Sequence, residues 1–308
     1  MIEKIRNIFA IPELRRKILF TLGILVIVRL GSQVPIPGIN PDALRQTLES
    51  LNDTFFGLFN LFTGGAFGQA AIFGLGIMPY ISVSIVIQIL QTTLPYFQRL
   101  AMEGESGRAK ITQITRYGTV ILAFVQSIFI SLLLESYGIV LDPGFLFRFT
   151  AVVSITTGTM LLLWLGEKIT EHGIGNGISL IIFASIVSGL PGAIGQSFEG
   201  ARQGEISLIL LLTVALMAII AISFIVWVER AQRRVSVNYA RRNPNQLTMG
   251  QASHIPLKVN MSGVIPAIFA SSIVLFPASI SSWFGQTEGM EWLQEVSLAL
   301  SPGQPLYV

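Results

Sequence analysis

The chain has 308 residues, of which 52% are hydrophobic and 12% charged, with 20 Lys and Arg against 17 Asp and Glu. Soluble domains carry about 25% charged residues, and here the apolar residues gather in blocks long enough to cross a bilayer, so a soluble globular protein is excluded. The lack of cysteine removes disulfide, thiolate and haem-attachment chemistry, and His172 and His254 stand in separate loops with no metal-binding cluster; neither a cofactor nor an enzymatic centre is expected.

In chain order the apolar pattern predicts seven spans, near 18–34, 72–94, 117–134, 145–165, 176–190, 206–228 and 262–283. The first runs into "PIPGINPD" without an A-x-A-like site, so it reads as an anchor and not a cleavable signal. The fifth is short, entered through "GIGNG" and closed by "GLPG". Assigning loops alternately to two sides puts sixteen basic residues on one side and only Arg45, Arg148 and Arg202 on the other. By the positive-inside rule the N-terminus is cytoplasmic. The segment after the seventh span, with Glu288, Glu291 and Glu295 and no Lys or Arg, belongs outside. Arg29 alone falls within a span. It is either a functional intramembrane charge or a side chain that snorkels to the nearby interface, and its place near the outer helix end favours the second.

Between Asp53 and Arg99 lie 45 consecutive uncharged residues. As one helix they would run roughly 67 Å, more than twice a ~30 Å hydrocarbon core. One span ending near Leu94 uses about half of them. The remainder, "NLFTGGAFGQAAIFGLG", is broken by glycines yet carries no charge. Irregular backbone at membrane depth survives only where protein buries it or a watery cavity receives it. Residues 55–71 therefore read as a short re-entrant or plugging segment on the outer side; the competing reading is an interfacial helix lying on the bilayer.

"GIMPYISVSIV" (76–86) and "GVIPAIFASSIV" (263–274) share Gly76 with Gly263, Pro79 with Pro266, Ile81 with Ile268 and Ser84 with Ser271. The two copies cross the membrane in opposite senses, as inverted repeats do, and such repeats place the working site where their interrupted helices meet. A solute transporter remains the alternative function, but the spans offer only Gln88, Gln126, some hydroxyls and Arg29 as polar ligands. That poverty points instead to a hydrophobic constriction that excludes water and ions by dewetting. On the residues alone, Ile77, Ile81, Ile182, Ile268 and Ile280 equally suit packing between helices or facing lipid.

Three other motifs carry no chemistry. "EGESGRAK" lacks phosphate-loop spacing, "GIGNG" is no dinucleotide fingerprint, and Glu167 and Glu171 have no second carboxylate pair or ligating His beside them. The loop "VERAQRRVSVNYARRNPNQLTMGQASHIPLK" differs: Val235, Val237 and Tyr239 alternate among five arginines, which predicts a projecting hairpin able to meet an acidic protein or RNA. Topology signalling and attraction to anionic lipid account for the same charges.

"PIPGIN", "GIMPYISVSIVIQIL", "EGESGRAKITQITRYGT", "TGTMLLLWLGEKITEHGIGNGISLIIFASIV", "VERAQRRVSVNYARR" and "HIPLKVNMSGVIPAIFASSIVLFPASI" together resemble the bacterial SecY family, pore subunits of the protein-translocation channel. The resemblance covers nearly the whole chain. It implies an all-α polytopic membrane protein of the cytoplasmic (inner) membrane, an inverted-repeat helical bundle clamped by SecE and accompanied by SecG. It implies a re-entrant plug helix over about 55–71, with Phe55, Phe56, Leu58, Phe59, Leu61, Phe62, Gly64, Gly65 and Phe67. The pore ring falls on Ile77, Ile81, Ile182, Ile268 and Ile280, and polar lateral-gate positions on Gln88 and Asn260. Arg233, Arg234, Arg241 and Arg242 occupy the loop that docks the SecA motor or the ribosome. Signal sequences and unfolded preproteins are the implied substrates, with membrane lipids receiving hydrophobic segments. Residues 1–200 then form an N-terminal half with helices one to five, and 201–308 a partial C-terminal half. Because the chain stops at "SPGQPLYV", before the family's eighth helix, it is expected to be a fragment of about seven spans, and a non-conducting assembly role is a further alternative.

Overall fold

The structure, a computed structural model, describes residues 11–40, 43–44, 60, 63–204, 207–237 and 253–260. The seventh span and the second repeat copy lie outside the described residues. Those described form seven helices, α1 (Pro12–Gly31), α2 (Met78–Thr93), α3 (Pro95–Met102), α4 (Glu105–Ser136), α5 (Phe145–His172), α6 (Gly177–Gln203) and α7 (Leu208–Arg230), and two strands, β1 (Gln232–Val237) and β2 (Ser253–Lys258). Helices α4 to α7 are each long and apolar enough to cross a membrane, and α2 with α3, bent by 96° at their junction, make a fifth candidate. The protein is an α-helical membrane protein. Two compact units divide within α6, between Pro191 and Gly192.

Several boundaries differ from the sequence expectation, for identifiable reasons. Helix α1 starts earlier, at Pro12, where a fixed φ suits the first helical position. It stops at Gly31, short of Val34, because Pro35 biases the preceding residue toward extended backbone. Residues 72–77, assigned above to the second span, are not helical; α2 begins only at Met78, after Gly74 and Gly76. Pro95 bends the chain into α3, a short helix the apolar pattern does not resolve. "GLPG" does not end the fifth span: α6 runs on through Pro191 to Gln203. The proline removes one ladder hydrogen bond without ending the helix.

The described frame is built on α4 and α5. Along α4, Thr115, Thr119, Ala123, Ser127 and Ser131 recur every fourth residue, and all are buried. In lipid, helices gain little from burying apolar surface against each other, so small residues that allow close approach carry the packing. The hydroxyls are satisfied within the helix, Thr119 donating to the Thr115 carbonyl at 2.7 Å and Ser131 to that of Ile128 at 2.7 Å. Ser127 also reaches Thr156 of α5 at 3.1 Å. Ala123 joins Ala151, Ile155, Leu134 and Phe147 in a common core. Ion pairs staple both ends of this helix pair. Arg116 donates twice to Glu167, at 2.8 and 2.7 Å, and at the other end Glu135 accepts from Arg148 at 2.8 Å and from the Gly144 amide at 3.1 Å.

Phe73, 3% exposed, wedges the 72–77 segment onto this frame. Its ring fills the space that a Cβ would take at Gly31 of α1, and its other edge lies against Gly158 of α5, where the Ile72 carbonyl also closes in. Two glycines on separate helices thus make one aromatic socket.

In the second unit, Ser207 caps α7 by accepting from the Leu210 amide at 3.2 Å. Strands β1 and β2 pair antiparallel, with Gln232 opposite Lys258 and Val235 opposite Ile255, as the alternating pattern of the basic loop predicts. Val259 donates to the Ala231 carbonyl and Asn260 to the Glu229 carboxylate, tying the ribbon's base to the end of α7.

Replacing Ala123 by Leu forces α4 and α5 apart at a fully buried position and is expected to cost about 1–3 kcal/mol, read as a lower melting temperature in detergent. Gly158→Ala should lower it by a comparable margin, because its Cβ meets the Ile72 backbone; Gly23→Ala, whose Cβ meets nothing within 4 Å, should not.

Candidate functional site

The site is assembled around residues 63–77, which turn repeatedly and yet are largely buried: Ala66 is 1% exposed, Ala71 0% and Leu75 2%. Gly64, Gly65 and Gly76 take positive φ values of 65°, 87° and 56°, conformations that side chains disfavour and that fold the segment back on itself. Non-helical backbone at this depth needs partners, and it has them. The Ile36 amide donates to the Ala70 carbonyl and the Ile72 amide to that of Val34, both at 3.0 Å, around a Pro35–Ala71 bridge. Asn60 accepts from Gly65 through its backbone at 2.9 Å and from Gly68 through its side chain at 2.7 Å. Thr63 accepts from the Phe67 amide at 3.3 Å. Residues 63–71 are therefore packed into protein and do not form a helix lying on the bilayer.

Beside this loop is a cavity of about 260 Å³ whose lining is mostly apolar, with Ile77, Ile181 and Ile182 facing Thr63, Arg29 and Ser185. Ile77, at the start of α2, is 5% exposed, and Ile182 of α6 is half-buried. The structure thus brings two of the five isoleucines singled out in the sequence onto one cavity. Ile81, one turn along α2, is buried at 8% exposure but is not part of that lining. Ile268 and Ile280 lie outside the described residues. Arg29 does not simply reach for the interface: its guanidinium donates to the Gly64 carbonyl at 2.7 Å, with the Ser32 hydroxyl at 3.5 Å. Gly64 packs backbone to backbone against α6, since a Cβ there would lie 2.7 Å from the Ser185 carbonyl oxygen.

Of the residues assigned to a plug, Gly64 is buried, Gly65 half-buried, and Phe67 half-buried against a second, smaller cavity with Ile36 and Leu44. Phe55, Phe56, Leu58, Phe59, Leu61 and Phe62 lie outside the described residues. Gln88 is exposed on α2, and Asn260 is half-buried and donates to Glu229 at 2.7 Å. Arg233 and Arg234 are exposed on β1, opposite Leu257 and Pro256; Arg241 and Arg242 lie outside the described residues.

Some structurally decisive residues carry no motif. Thr21 of α1 accepts from the Ile174 amide at 3.2 Å, and Thr170 from that of Gly177 at 2.9 Å. Asn176 accepts from Ser179 at 3.2 Å. Together they fix the "GIGNG" turn and so the start of α6, which carries Ile182. The Gly31–Phe73–Gly158 socket leaves no periodic trace either. Glu167, considered above as a carboxylate near the membrane, is the ion-pair partner of Arg116. Among the described residues no group of His, Asp and Glu is placed to hold a metal.

The family model described as SecY matches residues 71–308. The chain is 56% identical over 301 residues to the protein translocase subunit SecY of Buchnera aphidicola subsp. Acyrthosiphon kondoi, covering 96% of this chain and 85% of that protein. Against the protein translocase subunit SecY of Escherichia coli K12 it is again 56% identical over 301 residues, with 96% of this chain and 68% of that protein covered. Among solved structures, one described as a protein conducting channel superposes with a TM-score of 0.62 at 19% identity, over 93% of this chain and 59% of that one. A second, from work on how the plug domain of SecY stabilises the closed state of the translocation channel, gives 0.60 at 19% identity, over 93% and 58%. At that identity these structures speak for the fold; the family match and the sequence relatives speak for descent, and the chain belongs to the SecY family of protein translocase subunits.

Proposed function

We propose that this chain is the central pore subunit of a protein-conducting channel in the bacterial cytoplasmic membrane, passing unfolded preproteins across and releasing hydrophobic segments sideways into lipid. The observation that carries the reading is the buried, glycine-broken loop 63–77, which delivers Ile77 to a cavity that Ile182 also lines. Branched aliphatic side chains offer a passing chain no hydrogen bond that would arrest it, and packed together they exclude water and ions by dewetting. Ile81, Ile268 and Ile280 complete the ring in this reading, and residues 55–71 form the plug that closes it from outside. Gln88 and Asn260 belong to the lateral gate, where polar groups make a closed seam easier to part for an arriving signal sequence, which then partitions according to its apolar content.

The chain spans 68% of its Escherichia coli relative and about three-fifths of the solved channels, so these activities are assigned to the complete channel to which its residues belong. Residues 1–200 supply the N-terminal half and 201–308 part of the C-terminal half, with SecE and SecG as companion subunits. The distribution of Lys and Arg supports a cytoplasmic N-terminus. On that side the β1–β2 ribbon presents Arg233 and Arg234, and with Arg241 and Arg242 it forms the docking surface for the SecA motor or a translating ribosome.

In the complete channel reconstituted in vesicles, Ile77→Asn and Ile182→Asn should each raise the resting ion leak roughly tenfold, the effect of about 1.4 kcal/mol on a closed–open equilibrium. Ile89→Asn, on the exposed face of α2, should leave it unchanged, and an unaltered leak in both ring variants would remove the ring. Reversing Arg233 and Arg234 to Glu should weaken ribosome or SecA binding and flatten its dependence on salt; sedimentation over a salt series reads both effects.

A further inference from the structure

Arg29 lies in the last turn of α1, within the first apolar stretch of the sequence. An Arg at depth is costly and normally answers a carboxylate, a cavity or the interface. Here, among the described residues, it makes no ion pair; its 2.7 Å bond goes to one backbone carbonyl, that of Gly64, thirty-five residues away. That carbonyl sits at the point where the loop leaves Asn60 and Thr63 and touches α6. Gly64 has φ of 65° and no Cβ, and both features let its backbone meet Ser185. Ser32, one turn on from Arg29, lies beside the guanidinium and is itself anchored to the Arg29 carbonyl at 2.7 Å. The guanidinium also faces the 260 Å³ cavity.

We propose that Arg29 is the positioning residue of the closed state: by holding the Gly64 carbonyl it keeps the loop end seated between α1 and α6, and opening the channel requires that bond to break. This rests on the plug reading above. A hydrogen bond from a charged donor is stronger than a neutral one, so the Arg29 side chain, though exposed, holds the loop through this 2.7 Å bond. Both partners are costly to strand without water. Once the loop moves, the cavity beside it has room for several water molecules, which can solvate the guanidinium and the freed carbonyl. The bond is thus specific and yet exchangeable for water, as a reversible latch requires. Snorkelling alone would need only a charge and long stem at position 29, with no preferred partner.

The chain has no cysteine, so a test can use one introduced pair. Thr63→Cys with Ser185→Cys, both lining the cavity, should cross-link under oxidation in the resting complete channel. Arg29→Met, similar in length but without donors, should lower that cross-linking and raise the resting ion leak roughly tenfold or more, the scale of a lost charged hydrogen bond. In Arg29→Met carrying the cysteine pair, oxidation should return the leak to the wild-type level and reduction should restore it, because the disulfide replaces the latch. A leak that persists with the disulfide formed would mean that Arg29 acts by placing α1, which overturns the proposal. Wild-type leak and cross-linking in Arg29→Met would overturn it equally. If the pair fails to cross-link even with Arg29 present, the seated loop itself is wrong, and the plug reading falls with it.

Discussion

The structure turns on one constraint: at membrane depth each backbone amide and carbonyl must find a partner inside the protein. Helices meet it by themselves. Residues 63–77 meet it partly through their own turns, as where Ala71 donates to the Ala66 carbonyl at 2.9 Å and Gly74 to that of Ala71 at 2.8 Å, and partly through partners borrowed from the 34–36 segment, Asn60 and Arg29. Much of the surrounding architecture reads as provision for that loan. Pro35 keeps its neighbours extended so that Val34 and Ile36 can pair with Ile72 and Ala70. Gly31 and Gly158 vacate the room into which Phe73 anchors the far end of the loop. Asn176 and Thr170 set the start of α6, and with it the height at which Ser185 meets Gly64.

Rigid and yielding parts are built by different means. The α4–α5 pair has a continuous stripe of small buried residues and a bidentate or doubly accepting ion pair at each end. Surface ion pairs alone contribute little, but here they close the ends of an interface already fixed by close packing, so separating the helices must break both at once. The 63–77 loop is held by its own turns and by single hydrogen bonds to separate elements, with no repeating helix interface.

How much of this could be read from residues alone depended on whether the signal was periodic. The length of the uncharged run from 54 to 98 was enough to show that something besides one helix had to be accommodated, and the alternation at 233–237 was enough to place a strand. The start of α2 was not legible, since Gly74, Gly76 and Pro79 fit a kinked span as well as a loop followed by a helix. "GLPG" misled because proline with glycine usually ends helices, whereas α6 runs on through Pro191 to Gln203. The Thr115–Ser131 stripe looked like scattered hydroxyls until the fourfold spacing met a neighbouring helix. Arg29 looked like an interfacial side chain because its partner is a backbone atom, and no backbone acceptor announces itself in a sequence. The Phe73 socket was invisible for the same reason, depending on two glycines that come together only in the fold.

The composition of residues 63–71 bears on the proposed opening. Stable burial scales with apolar area, about 25 cal/mol per Å², so what residues 63–71 gain by burial is set by how few of them are large and apolar. Residues 63–71 read Thr-Gly-Gly-Ala-Phe-Gly-Gln-Ala-Ala. Ala66, Ala70 and Ala71 are all but inaccessible, yet each removes only a methyl group from contact with water. The segment therefore fills space densely while gaining little transfer free energy, and its glycines add a large conformational entropy to be recovered on release. Sealing depends on exclusion of water, which close packing of small residues achieves; retention depends on area and specific bonds, which they mostly withhold. A ligand shifts a two-state equilibrium only by its differential affinity for the two states. On the proposed reading, the gap between closed and open is one that a single hydrophobic helix binding at the gate has to overcome.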